Sequence, residues 1–334
     1  MFKGIFIALI TPFKAGKIDF IALACLIERQ IAAGVSGFCL LGTTAEPPAL
    51  TNKEKEEILS FCTKQIKGRA KIIVGVGANS TTHTLENIQI ASQFNPDAYL
   101  VVTPYYNKPN QQGIVEHYSA IAKSTTLPII IYNIPSRTGV SIEPASVAYL
   151  ASTFDNIVGI KQSCADMDKV SEIRMLCPED FVIYSGDDSL TLPMLALGAH
   201  GVISVASHIF GSEIKSMIRN FKTGEILAAR NMHKKLYPVF RALFMAPNPI
   251  PVKAALEYKG LIEAYVRKPL VTLNEDDKIK LFRVIDQVKE ELNQEKQKSE
   301  LAGVICSEAP PIPAEPLNEL TLHLSALQYN SGPA

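Results

Sequence analysis

The feature that most constrains the fold is a regular alternation of short apolar runs with longer amphipathic segments. Eight apolar runs, most of them rich in Val, Ile and Leu, occur at 4–10, 37–42, 71–77, 98–104, 128–134, 157–161, 181–186 and 201–206. Strands that are apolar throughout, without a polar residue at every second position, are typical of parallel sheets covered by helices on both faces. The segments between the runs therefore predict crossover helices.

One of these helices is predicted with particular clarity at residues 52–68. Thr51 precedes Glu54 by three residues, which is the spacing of a capping box, and Gly68 follows the last apolar position. Eight β/α units within the first 224 residues match a (β/α)₈ TIM barrel, which typically takes ~250 residues. A doubly wound open sheet is the alternative, but no GxGxxG motif follows the first strand. We therefore expect an α/β fold of the TIM-barrel type.

The chain is expected to contain three regions. The catalytic barrel occupies residues 1–224, and a C-terminal helical region of about three helices occupies residues 225–294. Beyond it the composition changes, and residues 308–316 read EAPPIPAEP. A proline-rich, polar segment cannot bury enough apolar surface to fold by itself. We expect residues 295–334 to be a disordered or extended tail.

Composition excludes several classes of function. Lys plus Arg and Asp plus Glu both number 33, so net charge indicates neither a nucleic-acid partner nor an anionic membrane surface. The six cysteines form no CxxC pair and the six histidines form no HxxxH, so no metal site is expected. Scattered cysteines are typical of reduced cytosolic proteins. No run approaches the ~20 apolar residues of a membrane helix, and we expect a cytoplasmic protein.

Polar residues follow the predicted strands where each one ends. In a TIM barrel these C-terminal ends form the active site. The candidates, in chain order, are Gly42, Thr43, Thr44, Glu46, Thr103, Tyr105, Tyr106, Tyr132, Asn133, Arg137, Thr138, Lys161, Gly186, Asp187, Asp188 and Ser204. The pattern predicts one lysine surrounded by hydroxyl groups and a single arginine.

Lys161 is the most informative of these residues because it ends the apolar run IVGIK. Lysine is seldom buried unless it is paired. Desolvation disfavours the ammonium form, so burial would lower the lysine pKa from its ordinary value of ~10.4. A free amine can attack a ketone and form an imine, an electron sink for carbon–carbon bond chemistry. Hydroxyls such as that of Tyr132 can shuttle the protons, and Arg137 can bind a substrate carboxylate.

Each candidate also has an ordinary structural interpretation. A lysine at a strand end is more often solvated or ion-paired than catalytic. Thr43 and Thr44 could cap a helix, and Tyr105 and Tyr106 could pack under a loop. These interpretations would all have to hold at the same end of one barrel, which favours an active site.

Six motifs occur in order along the chain: GTTAE (42–46), VTPYYNKP (102–109), YNIPSRTG (132–139), GIK (159–161), SGDD (185–188) and GVISV (201–205). Together they resemble the dihydrodipicolinate synthase family. This family belongs to the superfamily of pyruvate-dependent class I aldolases and N-acetylneuraminate lyase. The similarity runs from Phe2 to about residue 293. The resemblance implies a carbon–oxygen lyase that condenses pyruvate with L-aspartate 4-semialdehyde. The product, 4-hydroxy-tetrahydrodipicolinate, leads to diaminopimelate and lysine.

The resemblance also implies the catalytic residues. Lys161 would form the Schiff base with pyruvate, and Tyr132 would be the general acid and base. Thr43 would link Tyr132 to the next hydroxyl, that of Tyr106, which in the family reaches across a dimer interface. The family is typically a homotetramer, a dimer of dimers. It uses no metal or organic cofactor, because the covalent pyruvate imine on Lys161 is the electron sink.

Four further residues are implied to contact substrate. Thr44 would bind the pyruvate carboxylate, and Ile203 would contact the pyruvyl adduct through its backbone. Arg137 would hold the carboxylate of the semialdehyde at the entrance, and Gly186 would belong to the same substrate site.

The sequence departs from the family pattern in the loop after the second strand. The family usually has glycine where Ala45 stands, and Pro47 and Pro48 follow Glu46. If position 45 has a positive φ, alanine there costs about 1 kcal/mol or more. The two prolines also remove two backbone donors.

A second departure concerns feedback regulation. Lysine-inhibited members have two histidines where this chain has Asn52 and Lys55, and His83 stands where a glutamate usually receives the inhibitor's amine, although Asn79 is kept. We predict weak or absent inhibition by L-lysine. Micromolar inhibition in a steady-state assay would contradict this.

Two alternatives remain open. One is a sibling enzyme on the same barrel, N-acetylneuraminate lyase or a 2-keto-3-deoxy sugar acid aldolase. Arg137 and the Tyr105–Tyr106 pair favour a short aldehyde that carries a carboxylate over a long polyhydroxylated one. The other is a catalytically inactive barrel that acts as a binding protein, which the intact set of Lys161 and Tyr132 opposes.

Overall fold

The computed structural model describes residues 2–308. Its ten strands are β1 (Gly4–Ala8), β2 (Phe13–Lys14), β3 (Lys17–Ile18), β4 (Gly37–Leu40), β5 (Lys71–Gly75), β6 (Ala98–Val102), β7 (Ile129–Asn133), β8 (Ile157–Gln162), β9 (Val182–Ser185) and β10 (Gly201–Ser204). Eight of them pair in parallel and close into a barrel in the order β1-β10-β9-β8-β7-β6-β5-β4. The short β2 and β3 form a separate antiparallel hairpin. All eight predicted strands and the TIM barrel are thereby confirmed.

Helices follow each barrel strand and continue after the barrel closes. They are α1 (Phe20–Ala32), α2 (Asn52–Ile66), α3 (Thr81–Ser92), α4 (Gln111–Ser124), α5 (Pro135–Thr138), α6 (Pro144–Thr153), α7 (Met167–Leu176), α8 (Thr191–Ala196), α9 (Ser207–Lys222), α10 (Ile226–Ala242), α11 (Ile250–Tyr258) and α12 (Glu275–Glu308). The last three form the predicted C-terminal helical region. Among residues 2–308, no helix combines the length and apolar composition that crossing a bilayer requires.

Local sequence signals determine where α2 begins and ends. The Thr51 hydroxyl accepts from the Glu54 amide at 3.2 Å, and the Glu54 carboxylate accepts from the Thr51 amide at 2.9 Å. The predicted capping box is therefore present. The helix ends two residues earlier than the predicted 52–68, because Lys67 and Gly68 both adopt the left-handed conformation.

The barrel interior is filled by side chains from alternate positions of the strands. Tyr184 is fully buried inside it, and Phe6 packs edge-on against Tyr184 with ring centroids 5.5 Å apart. In small barrels such side chains form layers that leave no channel. Only the C-terminal ends of the strands are therefore left to hold a ligand.

Strand register determines which residues meet at that end. Tyr132 of β7 pairs in register with Lys161 of β8, and Asn133 pairs with Gln162. Successive side chains of a strand point to opposite faces. The amide side chain of Asn133 bonds that of Gln162 at 3.0 Å on one face, which leaves Tyr132 beside Lys161 on the other.

The boundaries of the predicted regions differ from the compact units of the fold. Met1–Val288 form one compact unit, which contains the stretch 1–224 and most of 225–294. The residues from Lys289 onward form a second unit, in which α12 continues to Glu308. The expected boundary at residue 295 thus falls within a helix. The remainder of the expected tail, residues 309–334, lies outside the described residues.

Candidate active site

The centre of the candidate site is Lys161, which is only 6% exposed at the end of β8. Its Nζ stands 4.2 Å from the centroid of the Tyr132 ring. Tyr132 is buried and lines the cavity at the mouth of the barrel. The structure therefore brings together the two residues that the sequence predicts to carry the chemistry, with the phenol ring against the amine.

The mouth of the barrel holds a cavity of about 740 Å³. Several candidate residues line it, contributed by different strand ends: Gly42, Thr43, Tyr105, Tyr132, Arg137 and Thr138. Such a volume falls in the range that small-molecule sites occupy. Among residues 2–308, no three His, Cys, Asp or Glu side chains are placed to hold a metal ion.

Thr43 and Thr44 lie in a short 3₁₀ helix, Thr43–Ala45, directly after β4. Thr44 is buried, and its hydroxyl accepts a hydrogen bond from Asn248 Nδ2 at 2.9 Å. The carbonyl of Asn248 in turn accepts from the guanidinium of Arg137 at 3.1 Å. Asn248 therefore links the threonine loop to the arginine, although the two come from different strand ends.

The same loop is fastened further along by Glu46. Its carboxylate receives a hydrogen bond from Lys253 Nζ, which is fully buried, and another from the backbone amide of Arg267 at 2.9 Å. Burial lowers the pKa of Lys253 to about 8, although the neighbouring Glu46 pulls it upward. The Lys253 ammonium also donates to the carbonyl of Tyr265 and stands over the Phe13 ring. The loop is thus held from the C-terminal helical region.

The departures at positions 45, 47 and 48 fit this loop. Ala45 is buried and is not among the residues with positive φ, so the condition under which alanine would be costly does not hold. The residue that has positive φ is its neighbour, Glu46, at 59°. Pro47 and Pro48 open the next 3₁₀ helix, Pro47–Ala49, where a missing amide is tolerated because the first turn needs no donor.

Gly186 and Ile203, the candidates from the last two barrel strands, are not among the residues that line this cavity. Ile203 is buried in β10, and Gly186 follows β9, its amide bonded to the carbonyl of Gln162 at 2.8 Å. The buried carboxylate of Asp188 accepts from the amides of Val205 and Ala206 at 3.0 and 2.9 Å. Burial raises the pKa of Asp188 to about 6, although the hydrogen bonds that its carboxylate accepts act to lower this pKa. Asp188 thereby fixes the chain immediately after Ile203.

Of the four residues predicted to be catalytic, Tyr106 is the one that the single chain does not bring into the site. It is 89% exposed and has a positive φ of 75°, whereas its neighbour Tyr105 lines the cavity. The cavity also extends to Asn52, Lys55 and His83, the positions compared above with lysine-inhibited relatives. Burial lowers the pKa of Lys55.

Sequence reasoning missed three residues of the site: Asn248, Lys253 and Arg267. The first two lie in the segment PNPIPVK (247–253), far along the chain from the predicted strand ends. Arg267 carries no motif; it binds Glu54 and the carbonyl of Ala49 as well as Glu46. The sequence did offer one signal for Lys253, which lies in a predicted helical segment. A lysine that is buried in such a segment requires a partner.

A parallel eight-stranded barrel with a buried lysine at one strand end, a tyrosine ring beside its amine and an arginine lining the cavity is typical of lyases of the class I aldolase type. Residues 1–288 match the model of the dihydrodipicolinate synthetase family, and the chain belongs to that family. A similar curated protein is the 4-hydroxy-tetrahydrodipicolinate synthase of Bacillus velezensis. It is 44% identical over 282 residues, which cover 84% of this chain and 97% of the relative.

Solved structures agree with this assignment. The 4-hydroxy-tetrahydrodipicolinate synthase of Methylacidiphilum fumariolicum is 41% identical with a TM-score of 0.87, covering 89% of this chain and 99% of that one. A dihydrodipicolinate synthase from Acinetobacter baumannii, described as complexed with pyruvate, is 35% identical with a TM-score of 0.83. That match covers 86% of this chain and 99% of that one.

Proposed function

We propose that this chain is a 4-hydroxy-tetrahydrodipicolinate synthase that condenses pyruvate with L-aspartate 4-semialdehyde, in the biosynthesis of diaminopimelate and lysine. The observation that carries this proposal is the buried Lys161 amine against the Tyr132 ring, next to a cavity with Arg137 at its mouth. Family membership supports the same reaction.

The first half-reaction places pyruvate on Lys161. The free amine attacks the ketone carbon, and the carbinolamine loses water to give an imine, with no metal or organic cofactor. The protonated imine then accepts the electrons released when the pyruvate methyl loses a proton, and an enamine forms. Tyr132 is the proposed proton carrier because its ring lies against the amine. Thr43 passes the proton on, Thr44 binds the pyruvate carboxylate, and the Ile203 backbone contacts the adduct.

The second half-reaction joins the aldehyde. Arg137, which lines the cavity, binds the semialdehyde carboxylate with its guanidinium, and Gly186 belongs to the same substrate site. The enamine carbon bonds to the aldehyde carbon, the carbonyl electrons move to oxygen, and that oxygen takes a proton from Tyr132. The amino group of the semialdehyde then attacks the imine carbon, which closes the ring and frees the Lys161 amine.

We further propose that Tyr106 acts in an assembled protein. Its ring is almost fully exposed and its backbone adopts a sparsely populated conformation, which a neighbouring subunit would need to stabilise. A homotetramer built as a dimer of dimers would carry Tyr106 across an interface to complete the hydroxyl relay. We propose cytoplasmic localisation, because both substrates are central metabolites.

The test is to trap the imine. The protein is incubated with pyruvate, reduced with borohydride and digested, and the modified peptide is identified by mass spectrometry. We expect the adduct on Lys161, turnover with L-aspartate 4-semialdehyde and none with N-acetylmannosamine. Absence of an adduct would contradict the whole imine mechanism. Turnover with N-acetylmannosamine alone would assign the chain to the sugar acid lyases.

A further inference from the structure

Ser163 has a feature that the mechanism above does not use. Its hydroxyl oxygen is shielded from solvent and has no hydrogen-bond partner among residues 2–308. The backbone around it is fixed, because its amide donates to the carbonyl of Asn133 at 2.9 Å and so extends the pairing of β7 with β8. The unpaired hydroxyl is therefore held in place by ordered backbone.

The position of Ser163 relative to Lys161 follows from strand geometry. Residues two apart on a strand point to the same face. The intervening Gln162 side chain is directed to the other face, where it accepts from Asn133 Nδ2. Ser163 therefore lies on the same side as Lys161 and one step closer to the mouth of the barrel.

Gly186 keeps the space between these two side chains open. A Cβ built on Gly186 would stand 2.8 Å from Lys161 Cε and would collide with Ser163 Oγ. Glycine at position 186 therefore lets the hydroxyl and the lysine share one side of the site. Because glycine has no side chain, this position also offers the hydroxyl no side-chain partner.

A buried hydroxyl without a partner is unfavourable. Leaving such a group unpaired forfeits its hydrogen bonds to water, so unsatisfied buried groups in native proteins call for an explanation such as a catalytic role. A partner that arrives only with the reacting molecule would remove this cost at the moment of reaction. Stabilisation realised only in the transition state accelerates the chemical step.

We propose that Ser163 is a further catalytic residue of this enzyme, donating a hydrogen bond to the oxygen of the aldehyde acceptor as the carbon–carbon bond forms. This inference rests on the proposed function. In that step the enamine carbon bonds to the aldehyde carbon, the C=O electrons move to oxygen, and the enamine nitrogen becomes an iminium. The proton that the oxygen finally takes comes from Tyr132, and Ser163 keeps its own.

The aldehyde, and not pyruvate, is the assigned partner because of where the hydroxyl lies. Pyruvate is bonded to Lys161 when the second substrate enters from the mouth, and Ser163 is on the mouth side of that lysine. The aldehyde oxygen also gains negative charge during bond formation, and hydrogen bonds to charged acceptors are the strong ones.

The test separates the two half-reactions with the variant S163A. Borohydride trapping of pyruvate on Lys161 should stay within about twofold of the wild type. The kcat/KM for L-aspartate 4-semialdehyde should fall about 10- to 100-fold, with the larger part of the loss in kcat. S163T keeps the hydroxyl and should recover most of the activity. S171A, on the exposed face of α7, is the matched control and should behave as wild type.

The melting temperature of S163A distinguishes a catalytic role of Ser163 from a structural one. Removing an unpaired buried hydroxyl should leave the Tm of S163A equal to that of the wild type or raise it, while activity falls. Unchanged turnover of S163A would overturn the inference, and so would an equal loss in pyruvate trapping. If the wild-type protein itself forms no adduct or does not consume the semialdehyde, the proposed function fails instead, and the two failures are distinguishable.

Discussion

At the scale of single residues, backbone strain in the threonine loop is carried by Glu46 and not by the residue before it. Glu46 adopts the left-handed region at φ 59°, and its carboxylate is held by Lys253 and by the amide of Arg267. A strained backbone conformation persists when several contacts of the surrounding structure hold it in place. Alanine at position 45 is therefore compatible with the loop, and glycine is not required there.

The variant A45G tests this interpretation of the loop. Because Ala45 is buried in a 3₁₀ helix without positive φ, glycine should lower the free energy of unfolding by about 1 kcal/mol through added freedom in the unfolded chain. Urea denaturation at a fixed protein concentration measures it. A gain in stability would show that position 45 is the strained one.

Asp188 gives stability a defined pH dependence. Its folded pKa is raised to about 6, whereas an unfolded aspartate has an ordinary pKa of ~3.9. Between these values the folded chain binds the proton more tightly, so the contribution of Asp188 to stability falls as the pH rises. The stability of the wild type relative to D188N should therefore drop by about 2 kcal/mol between about pH 4.5 and 7. Urea titrations of both proteins across that range measure it, and a difference that grows with pH would contradict the assignment.

At the scale of elements, the start of α11 and the segment before it connect three parts of the mouth. Asn248 bonds Thr44 and Arg137, and Lys253 bonds Glu46. The C-terminal helical region therefore helps to hold the loop after β4 and Arg137 in place. In the proposed mechanism its role is indirect, because it acts through residues that follow the barrel strands.

The variant K253M tests this connection. Removing one partner of a buried ion pair leaves the other charge unpaired, so the free energy of unfolding should fall by about 3–5 kcal/mol and the KM for pyruvate should rise. Chemical denaturation and steady-state kinetics measure the two effects. The exposed Lys64 of α2 supplies the control K64M, expected within about 0.5 kcal/mol of wild type.

A double variant keeps this prediction testable if K253M does not fold. In E46Q/K253M both charges are absent, and the side-chain amide introduced by E46Q can still accept from the Arg267 backbone amide. The double variant should be more stable than K253M alone, as a thermodynamic cycle with E46Q would show. A double variant less stable than K253M would exclude the ion pair as the cause.

At the scale of the whole molecule, the single chain contains Lys161, Tyr132 and Arg137 in one site but leaves Tyr106 outside it. An exposed tyrosine ring with a positive φ is an unusual combination for a free surface. Assembly is the simplest arrangement that would use it. The proposed relay therefore depends on a contact between copies of the chain.

Solution measurements test the assembly. Sedimentation equilibrium should give two or four times the 36.5 kDa of the chain. Y106F should keep that mass but lose about 10²-fold in kcat, because the hydroxyl is removed from the proton relay while the ring remains. Y149F, an exposed tyrosine on α6, is the control. A fully active monomer would contradict the proposal.

The sequence by itself determined the eight strands, the barrel, the capping box of α2 and the presence of a lysine and a tyrosine at strand ends. These follow from local signals, because hydrophobic period and capping spacing are written within about a dozen residues. Lys161 could be found because a charged residue at the end of an apolar run is a local anomaly.

Only the tertiary structure decided which residues support the loop and that the Ser163 hydroxyl has no partner among residues 2–308. Thr44 and Asn248 lie 204 residues apart and meet only because α11 packs at the barrel mouth. The Ser163 hydroxyl likewise lacks a side-chain partner on the β9 side, because the neighbouring residue there is Gly186. Such contacts arise from how elements pack in space, and no periodicity along the chain encodes them.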